Sequence, residues 1–301
     1  MDASAPYDAI IIGAGPAGLT CAIFLGRYRR RVLVLDDDKP RNAASHAIHG
    51  FLGQHGIDPR ELRARGRAEA EASGVEFRAA RATKIERDGD LFVVNDELRA
   101  RRIVLAYGVR DTLPDIPEIA SFYGTSVHHC PDCDGYESRD QRIGVIGWTK
   151  AVVGLGLKLL QWSSDIVIFT HGHERGWDEE EHSKLLAERV TVKDERIVAV
   201  TGADGCVDAA VLSTGERVPV QRIFFTVKVE RTCTLAEELG CEVDPQKPNV
   251  VVDEHRKTTV EGVWAVGDLV PGAQLAITSA ADGAIAAIDI NKSLLPPSRI
   301  V

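Results

Sequence analysis

Apolar residues fill positions 7–12 almost without a break, and so short and continuous a run predicts a strand. The turn Gly13-Ala14-Gly15-Pro16-Ala17-Gly18 follows, then an apolar-periodic segment to Tyr28, then a second strand-like run over 31–35, apolar after Arg31, that ends at Asp36. The pattern predicts strand, helix, strand. Residues 37–56 carry no helical period and are expected to form a loop. Asp58-Pro59-Arg60-Glu61 reads as an N-cap, a first-turn proline and an acid at N3, opening a helix to about Ser73. Short strands are expected over 75–95 with a turn at Asp88-Gly89, and a further strand over 103–106, followed by Tyr107-Gly108.

Beyond Pro114 and Pro117, read as a linker, the alternation starts again. It predicts a strand at 142–146, a helix at 151–161, a strand at 165–169, an acidic solvated helix at 179–188, and a strand meander over 191–225 that turns at 202–205. Pro245 and Pro248 mark a return linker, with strands at 250–252 and 263–266 and a long apolar-periodic helix at 275–294. The expected fold class is α/β, with two Rossmann-like dinucleotide-binding domains, the second inserted in the first. The outer domain takes 1–115 and 246–301 and the inserted one 116–245.

The first glycine cluster has a mechanical reading. Gly13 allows a tight turn, Gly15 lets backbone approach a pyrophosphate, and Gly18 lets the helix pack on the strand, while Asp36 stands where an acid binds a ribose 2′-hydroxyl. Pro16 and Ala17 complete the turn, and Arg41 and Asn42 in the following loop are within reach of a diphosphate or flavin. The corresponding turn of the inserted domain is Gly147-Trp148-Thr149-Lys150, with a threonine where the second glycine would stand and an indole at the turn. His171-Gly172-His173 follows the next strand, where an acid or an arginine pair would select NAD or NADP. Trp148 is either a core aromatic or a platform for a second ligand.

With 301 residues and six cysteines, the chain is far below a disulfide-stapled scaffold, which points to a reducing, cytoplasmic setting. A net charge of −9 argues against nucleic acid or an anionic membrane as the main partner. The arginines at 27–31 and 60–67 read as solvated helix faces. No apolar run reaches the roughly 18 residues that a membrane span needs, and the apolar stretch 9–25 carries a glycine fingerprint rather than the features of a signal peptide.

Two thiols lie three residues apart in His128-His129-Cys130-Pro131-Asp132-Cys133-Asp134-Gly135. Such a pair can cycle between dithiol and disulfide, or form half of a zinc site. Zinc would normally require a second Cys/His pair, whereas Cys21, Cys206, Cys233 and Cys241 are scattered singly, so no metal is expected.

The Gly13-to-Gly18 turn, the Cys130-Pro131-Asp132-Cys133-Asp134-Gly135 block, the stretch from Thr259 to Gly267-Asp268 and the block Ala276-Ile277-Thr278-Ser279-Ala280 together resemble the low-molecular-weight thioredoxin reductases. The resemblance implies FAD in the outer domain, with Gly108, Gly267 and Asp268 among its ligands, Asp268 on the ribityl chain, and the backbone of Gln274, Leu275 and Ala276 near the flavin ring. It further implies that Cys133 faces the flavin, that Cys130 attacks the substrate disulfide, that Asp134 handles the proton, and that the protein is a homodimer.

Departures from that pattern fall where NADPH should bind, at Gly147-Trp148-Thr149-Lys150, at His171-Gly172-His173 and at Lys228-Val229-Glu230-Arg231. Three readings follow. The first is a flavin-dependent disulfide reductase serving a thioredoxin-like protein or a small disulfide, fed by ferredoxin or a second flavin rather than NADPH. The second is a dithiol oxidase that closes a disulfide and passes electrons to oxygen. The third is a flavin-binding redox sensor.

Overall fold

The computed structural model describes residues 5–226 and 228–299; positions 1–4, 300 and 301, at the ends of the domain spans expected above, lie outside the described residues. The chain divides into two compact units. Unit 1 is Met1–Ala43, Gly50–Arg110 and Val229–Val301, and unit 2 is Ala44–His49 and Asp111–Lys228.

Unit 1 is built on a parallel five-stranded sheet in the order Val263–Ala265, Ile103–Leu105, Ala9–Ile12, Val32–Asp36, Glu76–Ala79. Ala9–Ile12 and Ile103–Leu105 are apolar at every position, and Val32–Asp36 at all but its last, because both faces are covered. Successive side chains point to opposite sides. Accordingly Ile10, Ile12, Leu33 and Leu35 join one core cluster, and Ala9, Ile11, Val32 and Val34 join the other. Fully burying a side chain such as Ile10 or Ile11 contributes roughly 1.5–3 kcal/mol. The helices Pro16–Arg27 and Ala276–Ser293 pack against each other on the second face, and Gly283 permits the approach: a Cβ there would lie 2.1 Å from the Ala17 carbonyl oxygen. The strands Ile85–Asp88 and Leu91–Val94 form the hairpin expected around Asp88-Gly89, with Leu98–Ala100 as its third strand. Asp58 caps the helix Pro59–Ala72 by accepting from the Arg60 N–H.

Unit 2 repeats the plan, with a parallel sheet in the order Thr191–Lys193, Ile166–Phe169, Ile143–Ile146, Arg222–Phe225, Val127–His128. The stretch 191–225 is not one meander. Its two ends join the parallel sheet, and only Ile197–Ala203, Cys206–Leu212 and Arg217–Pro219 form an antiparallel ribbon.

Two further expectations differ from the structure. The chain re-enters unit 1 at Val229 rather than after Pro245, because Lys228–Arg231 pairs with Val109–Thr112, and Leu235, Ala236 and Cys241 are buried in the core of unit 1. Residues 250–252 form only isolated bridges, Val243 with Val250 and Val252 with Thr258, rather than a strand.

Candidate functional site: a glycine cradle and a thiol pair

In a parallel sheet the carboxyl ends of the strands share one edge, and ligands bind there. Ile12, Asp36, Leu105 and Ala265 are the last residues of four strands of unit 1, so the sequence-nominated segments that follow them meet at that edge. Gly13 has φ +107°, and a Cβ on it would lie 2.5 Å from the Ala106 oxygen; one on Gly18 would lie 2.0 Å from the Gly13 oxygen. These two glycines are fixed by packing. Gly15 is not, because a Cβ there meets nothing within 4 Å. The bare space above Gly15, at the N-terminus of the helix Pro16–Arg27, is what a pyrophosphate requires.

Asp36 stands at this turn with both oxygens engaged. Oδ1 accepts from the Ala14 N–H at 3.1 Å, and Oδ2 accepts from Arg63 at 2.8 Å. Arg63 also donates to the Ala14 carbonyl and to Asp38. In sequence it reads as one of the solvated arginines at 60–67. The available signal was its spacing from Gly66 and Ala70, one helical face, which turns inward: Ala70 is fully buried and a Cβ on Gly66 would touch Leu19.

Arg41 donates to Asp268 and to Gln274, both at 2.8 Å. Ser279 donates to the other Asp268 oxygen at 3.2 Å, and Gln274 donates to the Asp268 carbonyl. Leu275 and Ala276 are the N-cap and first residue of the long C-terminal helix. Gly267, at φ +73°, packs so closely on Ala17 that a Cβ would approach the Ala17 Cβ at 2.9 Å. Gly108 has φ +65° with open space around it, and Asn42 is half-buried beside Arg41. Through the approach of Gly267 to Ala17, the Arg41–Asp268–Gln274 group adjoins the glycine turn, a cradle whose bare backbone at Gly15 fits a pyrophosphate.

The matching turn of unit 2 is closed by its own chain. His173 stacks on Trp148 with ring centroids 3.9 Å apart and 21° between planes. The Gly176 N–H donates to the Trp148 carbonyl at 2.7 Å, Thr149 forms a bridge with Gly176, and Lys150 pairs with Glu181. Gly147 is accounted for by packing, since a Cβ there would lie 2.5 Å from Thr226 Oγ1. His171 accepts from the Ile197 N–H, and Arg175 is held by both Asp194 oxygens. Trp148 is no core aromatic, being 36% exposed, but one face of its ring is covered by His173.

Cys130 and Cys133 are joined in a disulfide. The strand Val127–His128 delivers the chain to Cys130, which is the N-cap of the single-turn helix Pro131–Asp134. The Cys130 carbonyl accepts from the Cys133 and Asp134 N–H groups. Asp134 is mostly buried, which, with the nearby charge of Glu137, pushes its pKa up to about 7 against a pull downward from Arg222. Oδ2 of Asp134 lies 3.4 Å from Nδ1 of His128, whose side chain is 7% exposed. Glu137 pairs with His49 at 3.5 Å, and the next histidine, His129, contacts the Tyr123 hydroxyl at 3.0 Å. No group of three His, Cys, Asp or Glu side chains among the described residues could hold a metal ion, and none of their helices is long and apolar enough to cross a membrane.

Residues 7–283 match the family described as pyridine nucleotide-disulphide oxidoreductase. The chain belongs to that family. Membership implies FAD, which agrees with the cradle of unit 1. The thioredoxin reductase tcpT of Claviceps purpurea is 30% identical over 286 residues, 89% of this chain and 88% of that protein. The crystal structure of HlmI superposes with a TM-score of 0.92 at 35% identity, covering 98% of this chain and 94% of that one. An oxidoreductase from Agrobacterium tumefaciens gives a TM-score of 0.88 at 33% identity, over 97% and 100% of the two chains. The protein is therefore a thioredoxin reductase-like α/β flavin-dependent disulfide oxidoreductase.

Proposed function

We propose that this family member exchanges thiols and disulfides through Cys130 and Cys133 with Asp134 as the proton donor and acceptor, and that its electrons do not come from NADPH. The closed turn of unit 2 carries the second half of this reading. A nucleotide would have to displace the Trp148–His173 stack and the Gly176–Trp148 hydrogen bond, and would then meet a Thr149 side chain where a pyrophosphate needs bare backbone. Arg175, the guanidinium just beyond His173, is already committed to Asp194. Each charge-assisted hydrogen bond so forfeited is worth about 1.5–3 kcal/mol.

In the reductive direction a Cys130 thiolate attacks one sulfur of the substrate disulfide, forming a mixed disulfide and releasing a thiolate that takes the Asp134 proton. Cys133 then attacks the Cys130 sulfur, releases the second substrate thiol after protonation, and restores the Cys130–Cys133 disulfide. The flavin, when bound, supplies the electron pair that reopens this disulfide. Within unit 1, Gly13, Gly15, Pro16, Ala17 and Gly18 form the pyrophosphate cradle, while Asp36, Arg41, Asn42, Gly108, Gly267, Asp268, Gln274, Leu275 and Ala276 orient the rest of the cofactor. The substrate is a thioredoxin-like protein or a small disulfide, the donor a ferredoxin or a second flavin, and the working form a homodimer.

An acid titrating near 7 accepts a proton as readily as it gives one, which favours a second reading in which the same residues oxidise a dithiol and oxygen takes the electrons. The thiol roles are tested by substitution. Cys130→Ser is expected to show a new long-wavelength flavin absorbance that Cys133→Ser lacks. Equal spectra for the two variants, or stoichiometric zinc in the wild type, would overturn the assignment.

A further inference from the structure

Several ionisable side chains surround Asp134 on the single-turn helix that bears the thiols, and His128 is the one buried directly against its carboxyl. It is the last residue of the strand Val127–His128, 7% exposed, with its ring tilted against Phe224 at 5.5 Å between centroids. A ring nitrogen hydrogen-bonds the Thr125 backbone carbonyl, and Nδ1 faces Oδ2 of Asp134 at 3.4 Å. A neutral imidazole has one N–H and one lone pair, and the hydrogen bond made by one nitrogen fixes what the other can do. In the tautomer that gives its N–H to Thr125 from the other nitrogen, Nδ1 toward Asp134 can only accept. A carboxylate has nothing to donate to it, whereas a carboxylic acid does.

We propose that His128 is a positioning residue that holds Asp134 in its acid form, Nδ1 accepting the Asp134 proton until a leaving thiolate in the exchange step takes it. This inference rests on the role assigned to Asp134 above. The surroundings keep the imidazole neutral: burial, then the charges of Arg222 and His129, lower its pKa from 6.5 to about 3, with the Thr125 bond acting the other way and His49 adding to the lowering. His128 therefore does not compete for the proton. The other groups facing Asp134 are Glu137, which favours the acid form, and Arg222, which opposes it. The 3.4 Å separation is long for a hydrogen bond, as contacts to catalytic groups often are before substrate arrives.

The test follows the rate of disulfide exchange by Cys130/Cys133 against pH in the flavin-loaded protein, together with the infrared carbonyl band of a protonated carboxylic acid at neutral pH. His128→Phe keeps a ring against Phe224 but has no acceptor, and it is expected to move the titration assigned to Asp134 down by on the order of one unit and to remove the band. His128→Asn can present Oδ1 near the place of Nδ1 and is expected to restore both. An unmoved or raised titration in His128→Phe, with the band retained, overturns the proposal. Failure of the underlying reading looks different: Asp134→Asn would then leave both the titration and the band in place. Should His128→Phe not fold, His128→Asn and His128→Leu decide, since retention of the band in the leucine variant overturns the proposal by itself.

Discussion

Replacing Gly15 with valine separates a ligand's demand for bare backbone from the fold's own demand. The residue has φ −74° and ψ 179°, which valine adopts without strain, and a Cβ there meets no atom within 4 Å. Gly15 is also the N-cap of its helix, where valine is disfavoured by about 0.5–1 kcal/mol, while the loss of a glycine restricts the unfolded chain and returns about 0.4–1 kcal/mol. The apoprotein should therefore keep its stability to within about 1 kcal/mol. A bound pyrophosphate would lose access to two of the helix-terminal N–H groups, at about 1.5–3 kcal/mol each, which weakens FAD by roughly 10²- to 10⁴-fold. Gly18→Val is the control, because its Cβ would sit 2.0 Å from the Gly13 oxygen and must disrupt the fold itself. The assay is the flavin-to-protein ratio after purification, with the thermal midpoint of apoprotein before and after adding FAD. Gly15→Val that retains stoichiometric FAD, or that unfolds as Gly18→Val does, would refute the cradle.

Other outcomes follow from the same geometry. Asp134 must be protonated to serve the leaving thiolate, so the reductive exchange rate should fall as pH rises through about 7, and Asp134→Asn should remove that limb and lower the rate by about 10²- to 10⁴-fold; stopped-flow exchange across pH checks both. His128 has a folded pKa depressed from 6.5 to about 3, so its contribution to stability is complete above 6.5 and lost as pH falls toward 3. Asp134 acts oppositely, its contribution being lost as pH rises from 3.8 to about 7, so urea unfolding should be compared between Asp134→Asn and the double variant that also carries His128→Phe. Only the single variant should lose stability on acidification for this reason. Gly283→Ala should destabilise unit 1 by about 1–3 kcal/mol or more, because its Cβ would lie 2.1 Å from the Ala17 oxygen; an unchanged denaturation midpoint would contradict the packing described for the two helices.

The two-unit α/β plan was legible because parallel strands covered on both faces read as apolar runs, as in Ala9–Ile12 and in Val32–Asp36 up to its last residue. The thiol pair and the glycine turn were legible because their spacing is local. The return boundary at Val229 was not, since the prolines at 245 and 248 look like a linker while the burial of Leu235 and Cys241 depends on pairing with a strand more than a hundred residues earlier. Arg63 and His128 were missed for the same reason. A helix arginine and a strand-end histidine acquire their roles only from Asp36, which is remote in sequence, and from an Asp134 whose burial no local pattern reveals. Trp148 was recognised as anomalous, but the partner that covers its ring, His173, lies beyond the next strand.

The claim that NADPH is not the donor is tested most directly by mixing the oxidised, FAD-loaded protein under anaerobic conditions with NADPH and, separately, with a dithiol, while following the flavin absorbance. The closed Trp148–Gly176 turn predicts that micromolar NADPH leaves the flavin oxidised, whereas the dithiol bleaches it through Cys130 and Cys133 and fails to do so in Cys133→Ser. Rapid bleaching by micromolar NADPH would contradict the account.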